Sequence, residues 1–126
     1  MDNFWANAEV ISAYTRAQAI EDGVLVDVTK TAKEAGIKFP VAVTQKLWSE
    51  YIMPDPRATW QSIDGRLWDV LCLFAIYARR VEAPVFIYKV RMVMKRALQR
   101  DIRIKATIHG GDSGEPVITL MLSDED

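Results

Sequence analysis

The spacing of apolar residues changes once along this chain, at Pro84. Before it, apolar positions recur three or four apart, as on one stripe of a helix. After it they alternate with polar ones, as on one face of a strand. Leu67, Leu71, Phe74 and Ala78 fall on one stripe, and Trp68, Val70 and Ile76 widen it, so the longest helix is expected from Ser62 to Arg80. In 85–95, Phe86, Tyr88, Val90, Met92 and Met94 alternate with Val85, Ile87, Lys89, Arg91, Val93 and Lys95. In 101–109, Ile102, Ile104, Ala106 and Ile108 alternate with Arg103, Lys105, Thr107 and His109. Val117 to Leu122 reads as a third strand behind the glycine-rich turn at 110–114. Short connections between such strands favour antiparallel pairing, hence a C-terminal β-meander.

The N-terminal half carries shorter elements, marked by their ends. Thr15 and Gln18 have capping-box spacing, and Gly23 stands where a helix stops. Val24 to Val28 is a short strand or extended arm; its place in the sheet is open. Thr31 and Glu34 repeat the capping-box spacing, and Gly36 closes that element. Pro40 suits the first position of a third helix, with Val43, Leu47 and Tyr51 at helical spacing as far as Ile52. Pro54 and Pro56 end it. Helices first and strands afterwards predict an α+β fold: about four helices packed on one face of an antiparallel sheet of three or four strands. A single domain is expected over residues 1–122, with 123–126 as a solvated acidic tail.

Composition narrows the class. With 126 residues, half of them apolar, the chain can bury a core and is not of the disordered type. Cys72 is the one cysteine, so no intramolecular disulfide forms. Set among Val70, Leu71, Leu73 and Phe74, it reads as an inert packing residue in a reducing cytoplasm. The opening MDNFWANAEV has no signal-peptide pattern, and the apolar run from Leu67 to Ala78 is too short to cross a bilayer. A cytoplasmic protein without a membrane partner is expected.

Charge is segregated although the net value is −1. Residues 79–105 hold nine lysines and arginines against Glu82 and Asp101, while 106–126 hold five acids and no base. Alternation gathers Lys89, Arg91 and Lys95 on one face of a strand and Arg103 and Lys105 on one face of its neighbour. If register aligns them, five cations line one sheet surface, the electrostatic footprint of nucleic-acid binding. The sheet-type readers of single strands interleave stacking aromatics with such cations, whereas Phe86 and Tyr88 lie on the other parity. Lysine and arginine also guard open sheets against edge association.

Three stretches, YTRAQAIEDGVLVDVT at 14–29, AGIKFPVAVT at 35–44 and GRLWDVL at 65–71, resemble an uncharacterised family of small proteins encoded on bacterial plasmids, prophages and other mobile elements. The resemblance implies a bacterial, mobile-element setting and supplies no activity and no functional residue. Residues 85–126 rest on periodicity alone.

Candidate chemistry is sparse. GDSGEP at 111–116 is one residue from the GDSGGP around a chymotrypsin-like nucleophile, but the single histidine, His109, is four residues from Ser113 on the same turn. Glycine, aspartate and serine are what a β-turn needs for its own backbone. His109 reads as a strand-end residue facing solvent, and one histidine with one distant cysteine gives no metal spacing. Asp27, between Val26 and Val28, is either a catalytic carboxylate or, more simply, a helix cap or a partner for Arg16 or Arg66. No catalytic residue, metal or cofactor is assigned. The expected function is that of a non-catalytic accessory protein that binds another protein, including one of a host system. The alternatives are nucleic-acid binding through Lys89, Arg91, Lys95, Arg103 and Lys105, and an enzyme with an unrecognised carboxylate site. Homodimerisation, through an exposed strand edge or one of the tryptophans, is left open by the sequence.

Overall fold

The computed structural model of the chain describes residues 14–54, 60–93 and 99–125. Helix α1 (Arg16–Glu21) starts at the expected capping box: the Thr15 hydroxyl accepts from the Gln18 amide, and the Gln18 side chain accepts from the Thr15 amide. Gly23, at φ 80°, reverses the chain beyond it, a left-handed conformation that glycine adopts without steric cost. Then follow β1 (Leu25–Asp27), α2 (Thr29–Glu34), β2 (Val41–Thr44) and α3 (Gln45–Leu47), which runs into a single π turn over Trp48–Ile52. The long helix α4 (Trp60–Arg80) precedes β3 (Val85–Val93), β4 (Gln99–Gly110) and β5 (Pro116–Leu122).

The α+β class and the C-terminal meander are as the periodicity predicts, but the sheet is larger and mixed. It has five strands in the order β1-β2-β5-β4-β3, and β2 runs parallel to β5 while every other pair is antiparallel. Val24–Val28 does join it, through β1 at one edge. The third helix expected from Pro40 is a correction: Val41 to Thr44 form a strand instead, and Val41, Ala42 and Val43 are completely buried between β1 and β5. Valine's branched Cβ packs well on a pleated surface and loses rotamer freedom in a helix. The helix therefore begins only at Gln45, capped by the Thr44 hydroxyl. The second expected capping box also shifts. Residue 28 is the N-cap of α2 with no side-chain bond, and the start falls two residues before Thr31.

One face of the sheet carries the core. Val41, Val43, Ile104, Ala106, Leu120, Tyr88, Val90 and Met92 meet Leu67, Val70, Leu71 and Phe74 of α4 and Ala32 of α2. Phe74 stacks on Phe86 with ring centroids 5.6 Å apart, and the Tyr88 hydroxyl donates to the Val70 carbonyl at 2.9 Å. That bond satisfies the only polar atom of a side chain that is otherwise core. Trp68 and Ile76, expected to widen the buried stripe, are 41% and 45% exposed instead. Cys72 is half-buried rather than buried, and desolvation with Asp69 nearby raises its pKa.

Helix α1 departs from the expected layering. Register places Leu25, Asp27, Ala42, Thr119 and Val117 on the second face of the sheet, opposite the core. There the Arg16 guanidinium donates to the Thr119 hydroxyl and the Ile118 carbonyl, both at 2.7 Å. The acidic tail is only partly solvated. Glu125 turns back and accepts from the Leu122 amide and the Thr44 hydroxyl, each at 2.7 Å, and Lys46 lies 3.6 Å from Asp124. Among the described residues, no helix is long and apolar enough to cross a membrane.

Candidate functional site: the open half of the sheet

The second face of the sheet is covered unevenly. Over β2 and β5 it is closed, with Ala42, Val117 and Thr119 all buried. Toward β3 and β4 it is open: Val85 is 48% and Ile87 56% exposed, and Lys89, Arg91 and Arg103 are exposed beside them. Register decides how the cations meet. Lys89 stands directly opposite Arg103, Ile87 opposite Lys105, and Arg91 opposite Asp101. Directly opposed side chains have Cβ atoms about 5 Å apart, where like charges repel. The Lys89–Arg103 pair is thus a local concentration of positive charge with no acid opposite either member, while Arg91 is held by Asp101 at 3.0 Å. That contact raises the Arg91 pKa and lowers that of Asp101, by the hydrogen bond first and the charge second.

Four of the five expected cations therefore share this surface, and Lys95 lies outside the described residues. Phe86 and Tyr88 are in the core, as their parity predicts, so the open face presents aliphatic rather than aromatic side chains between its charges. A shallow concavity of about 440 Å³ follows the outer edge of β3, lined by Tyr77 and Tyr88 from the core side and Ile87, Lys89 and Arg103 from the open side.

A second group of polar residues gathers where α1 meets the sheet. A cavity of about 310 Å³ is lined by Thr15, Arg16, His109, Asp112 and Thr119 among others. His109 Nε2 is 2.8 Å from the Thr119 hydroxyl, and Nδ1 is 3.0 Å from the Gly110 carbonyl. In the neutral ring the bonds close with the hydrogen on Nδ1: His109 donates to Gly110, Thr119 donates to His109, and Arg16 donates to Thr119. Asp112, from the GDSGEP turn, accepts from the Arg16 and Ala17 amides at 2.7 and 3.1 Å and so caps α1 from across the chain. Burial lowers the Arg16 pKa, against the opposing pull of Asp27, Asp112 and Glu115. The Thr119 hydroxyl, on a buried residue, accepts from Arg16 and donates to His109, and so joins helix and strand. The arrangement fastens α1 to the sheet.

The remaining candidates have structural duties. Asp27 accepts from the Thr29 amide and hydroxyl at 3.1 and 2.5 Å, holding the entry to α2. The protease-like Ser113 is part of a tight turn in which its amide donates to Glu115, and Gly114 takes φ 82°. Among the described residues, no three His, Cys, Asp or Glu side chains come together to hold a metal ion.

A family of unknown function (DUF6573) matches residues 1–126, that is, the C-terminal strands as well as the N-terminal stretches. The chain belongs to this family. No curated protein and no solved structure matches it. For this family member, the open half-face and the α1 cavity are two of the places among the described residues where polar groups converge; others lie at Lys30, Glu34 and Asp64 and at Asp22, Lys46 and Glu125.

Two features of the open face escape a reading of the cations alone. Asp101, counted only as an interruption in a basic segment, pairs with Arg91 and takes one cation out of play. Val85 and Ile87 were visible in the alternation, on the same parity as Lys89, and make the surface half aliphatic. His109 and Arg16 come together from strands and helices far apart in the chain, which no local spacing signals.

Proposed function

We propose that this protein is a non-catalytic accessory protein of a bacterial mobile element, and that it acts by binding another protein through the open half of its sheet. The observation that carries the reading is the combination of Lys89 facing Arg103 with solvent-exposed Val85 and Ile87 on the same surface. Protein interfaces join aliphatic contact with a few charges that set partner and register. The setting on a mobile element is supported by the resemblance of residues 14–71, and host proteins are the first partners to test.

Nucleic-acid binding is the second reading, favoured by the same opposed cations. It has less support, because among the described residues of β3 the aromatics Phe86 and Tyr88 are buried in the core rather than interleaved with the cations for bases to stack on. Tagged wild-type protein and the variants Lys89→Glu and Arg103→Glu separate the two. The proposal expects one protein retained in stoichiometric amount by the wild type and by neither variant. A partner held equally by all three proteins refutes it. Steeply salt-dependent retention on DNA or RNA, lost in both variants, transfers the function to nucleic acid.

A further inference from the structure

We propose that the partner binds by adding an acidic extended strand to the outer edge of β3. The inference rests on the protein-binding reading above and deepens it. β3 is nine residues long and ends the sheet; among the described residues no strand lies beyond it. The phase of its ladder follows from the bond at its start, where the Ile108 amide donates to the Pro84 carbonyl at 2.7 Å. Alternate residues of an antiparallel strand face their partner. The backbone groups of Phe86, Tyr88, Val90 and Met92 therefore point to β4, and those of Val85, Ile87, Lys89 and Arg91 point outward. The side chains of this outward set are the ones on the open face.

An incoming strand would thus find main-chain donors and acceptors together with a side-chain code: aliphatic at Val85 and Ile87, cationic at Lys89. The concavity along this edge is lined from both faces of β3, by Tyr77 and Tyr88 on one and by Ile87 and Lys89 on the other. Charge selects the occupant. A carboxylate opposite Lys89 would pair with it directly and would stand in line with Arg103, two strand spacings or about 10 Å away, which lowers the repulsion between the two opposed cations. Two-fold pairing of β3 with a second copy instead lays two Lys89–Arg103–Lys105 groups on one continuous face. Only the Asp101 carboxylates offset them, and these are already engaged by Arg91. A second copy is the poorer partner; an acidic segment with an aliphatic residue two positions from its carboxylate is the better one.

The test uses a blocked seven-residue peptide in which valine, glutamate and valine alternate with threonine, and follows amide hydrogen exchange in the whole protein. At ten times the peptide Kd, exchange at Ile87, Lys89 and Arg91 should slow about tenfold, because it then proceeds from the free fraction. A peptide with lysine in place of glutamate should give no slowing. The variant Ile87→Pro removes an outward N–H and no bond to β4, so it should keep exchange at Ile104 and Ala106 unchanged and lose the peptide. The glutamate peptide N-methylated at its edge-facing amides keeps charge and side chains but cannot pair, and should not bind. Equal binding of the N-methylated peptide overturns strand addition while leaving the open face as a charged docking surface. No slowing at the β3 amides, or equal slowing by the lysine peptide, overturns it too. The broader reading then stands or falls on Lys89→Glu with the captured protein.

Discussion

Reversing one of the two opposed cations should make the protein more stable. In Lys89→Glu the residue facing Arg103 changes from like to opposite charge. A directly opposed pair contributes about 0.2–1 kcal/mol in either direction, so removing a repulsion and adding an attraction gives a swing of about 1 kcal/mol. Asp101 and Lys105, the two diagonal neighbours of position 89, respectively oppose and favour the new carboxylate and largely cancel, which leaves the gain at about 1 kcal/mol. For a domain of this size that is a rise in Tm of about 2–5 °C. Thermal melts at low salt measure it, and the gain should vanish near 1 M salt, where the screening length is about 3 Å. Arg103→Glu should behave alike. The double variant Lys89→Glu, Arg103→Glu restores a like-charge pair and should return to wild-type stability or below. A single reversal that destabilises, or a gain that survives high salt, would show that the two side chains do not face one another in solution. The expected pattern, stability gained as partner binding is lost, is what separates a surface kept for recognition from one kept for folding.

Further outcomes follow from other contacts. Burial pushes the Tyr88 pKa well above its ordinary value, so the folded state holds that proton more tightly than the unfolded chain. The resulting stability is present at neutral pH and lost as pH rises past the ordinary tyrosine range; tyrosinate absorbance should show one of the four tyrosines ionising only with loss of near-UV dichroism. The Asp101 pKa is depressed by Arg91, so its contribution is present above the usual carboxylate range and fades as pH falls through the lowered value. A carboxyl-carbon NMR titration should find that midpoint restored to the ordinary value in Arg91→Gln. Arg16→Lys loses the two-pronged bond to Thr119 and Ile118, which should cost about 1–3 kcal/mol in urea denaturation; Asp112→Ala, which removes only a cap, should cost about 1 kcal/mol.

The C-terminal meander could be read from the chain because each strand repeats one parity over many residues and meets its neighbour across a short turn. The capping box at Thr15 was equally plain, being complete within four residues. β2 was hidden for two reasons. Four residues are too few to show alternation, all three of the leading ones are buried, and the helix-forming stretch after them extends the helical period backward. Its parallel partner is also β5, at the far end of the chain, where no short turn announces the pairing. The basic face was legible as a set of parities, but alternation alone does not fix the register that opposes Lys89 to Arg103 and Arg91 to Asp101. The bond chain from Arg16 through Thr119 to His109 could not be read at all, since it needs α1 to cross to the second face.

The position of β5 has a consequence for synthesis. The strand seated between β2 and β4 comes after both of them in the chain, and on a ribosome the two would wait with facing backbone edges bare until 116–122 emerged. During that interval the nascent polypeptide exposes apolar strand surfaces that later become its interior. A stop codon anywhere before residue 116 should therefore yield an insoluble or rapidly degraded product rather than a shortened working one, and a chaperone that shields the emerging chain should raise its yield.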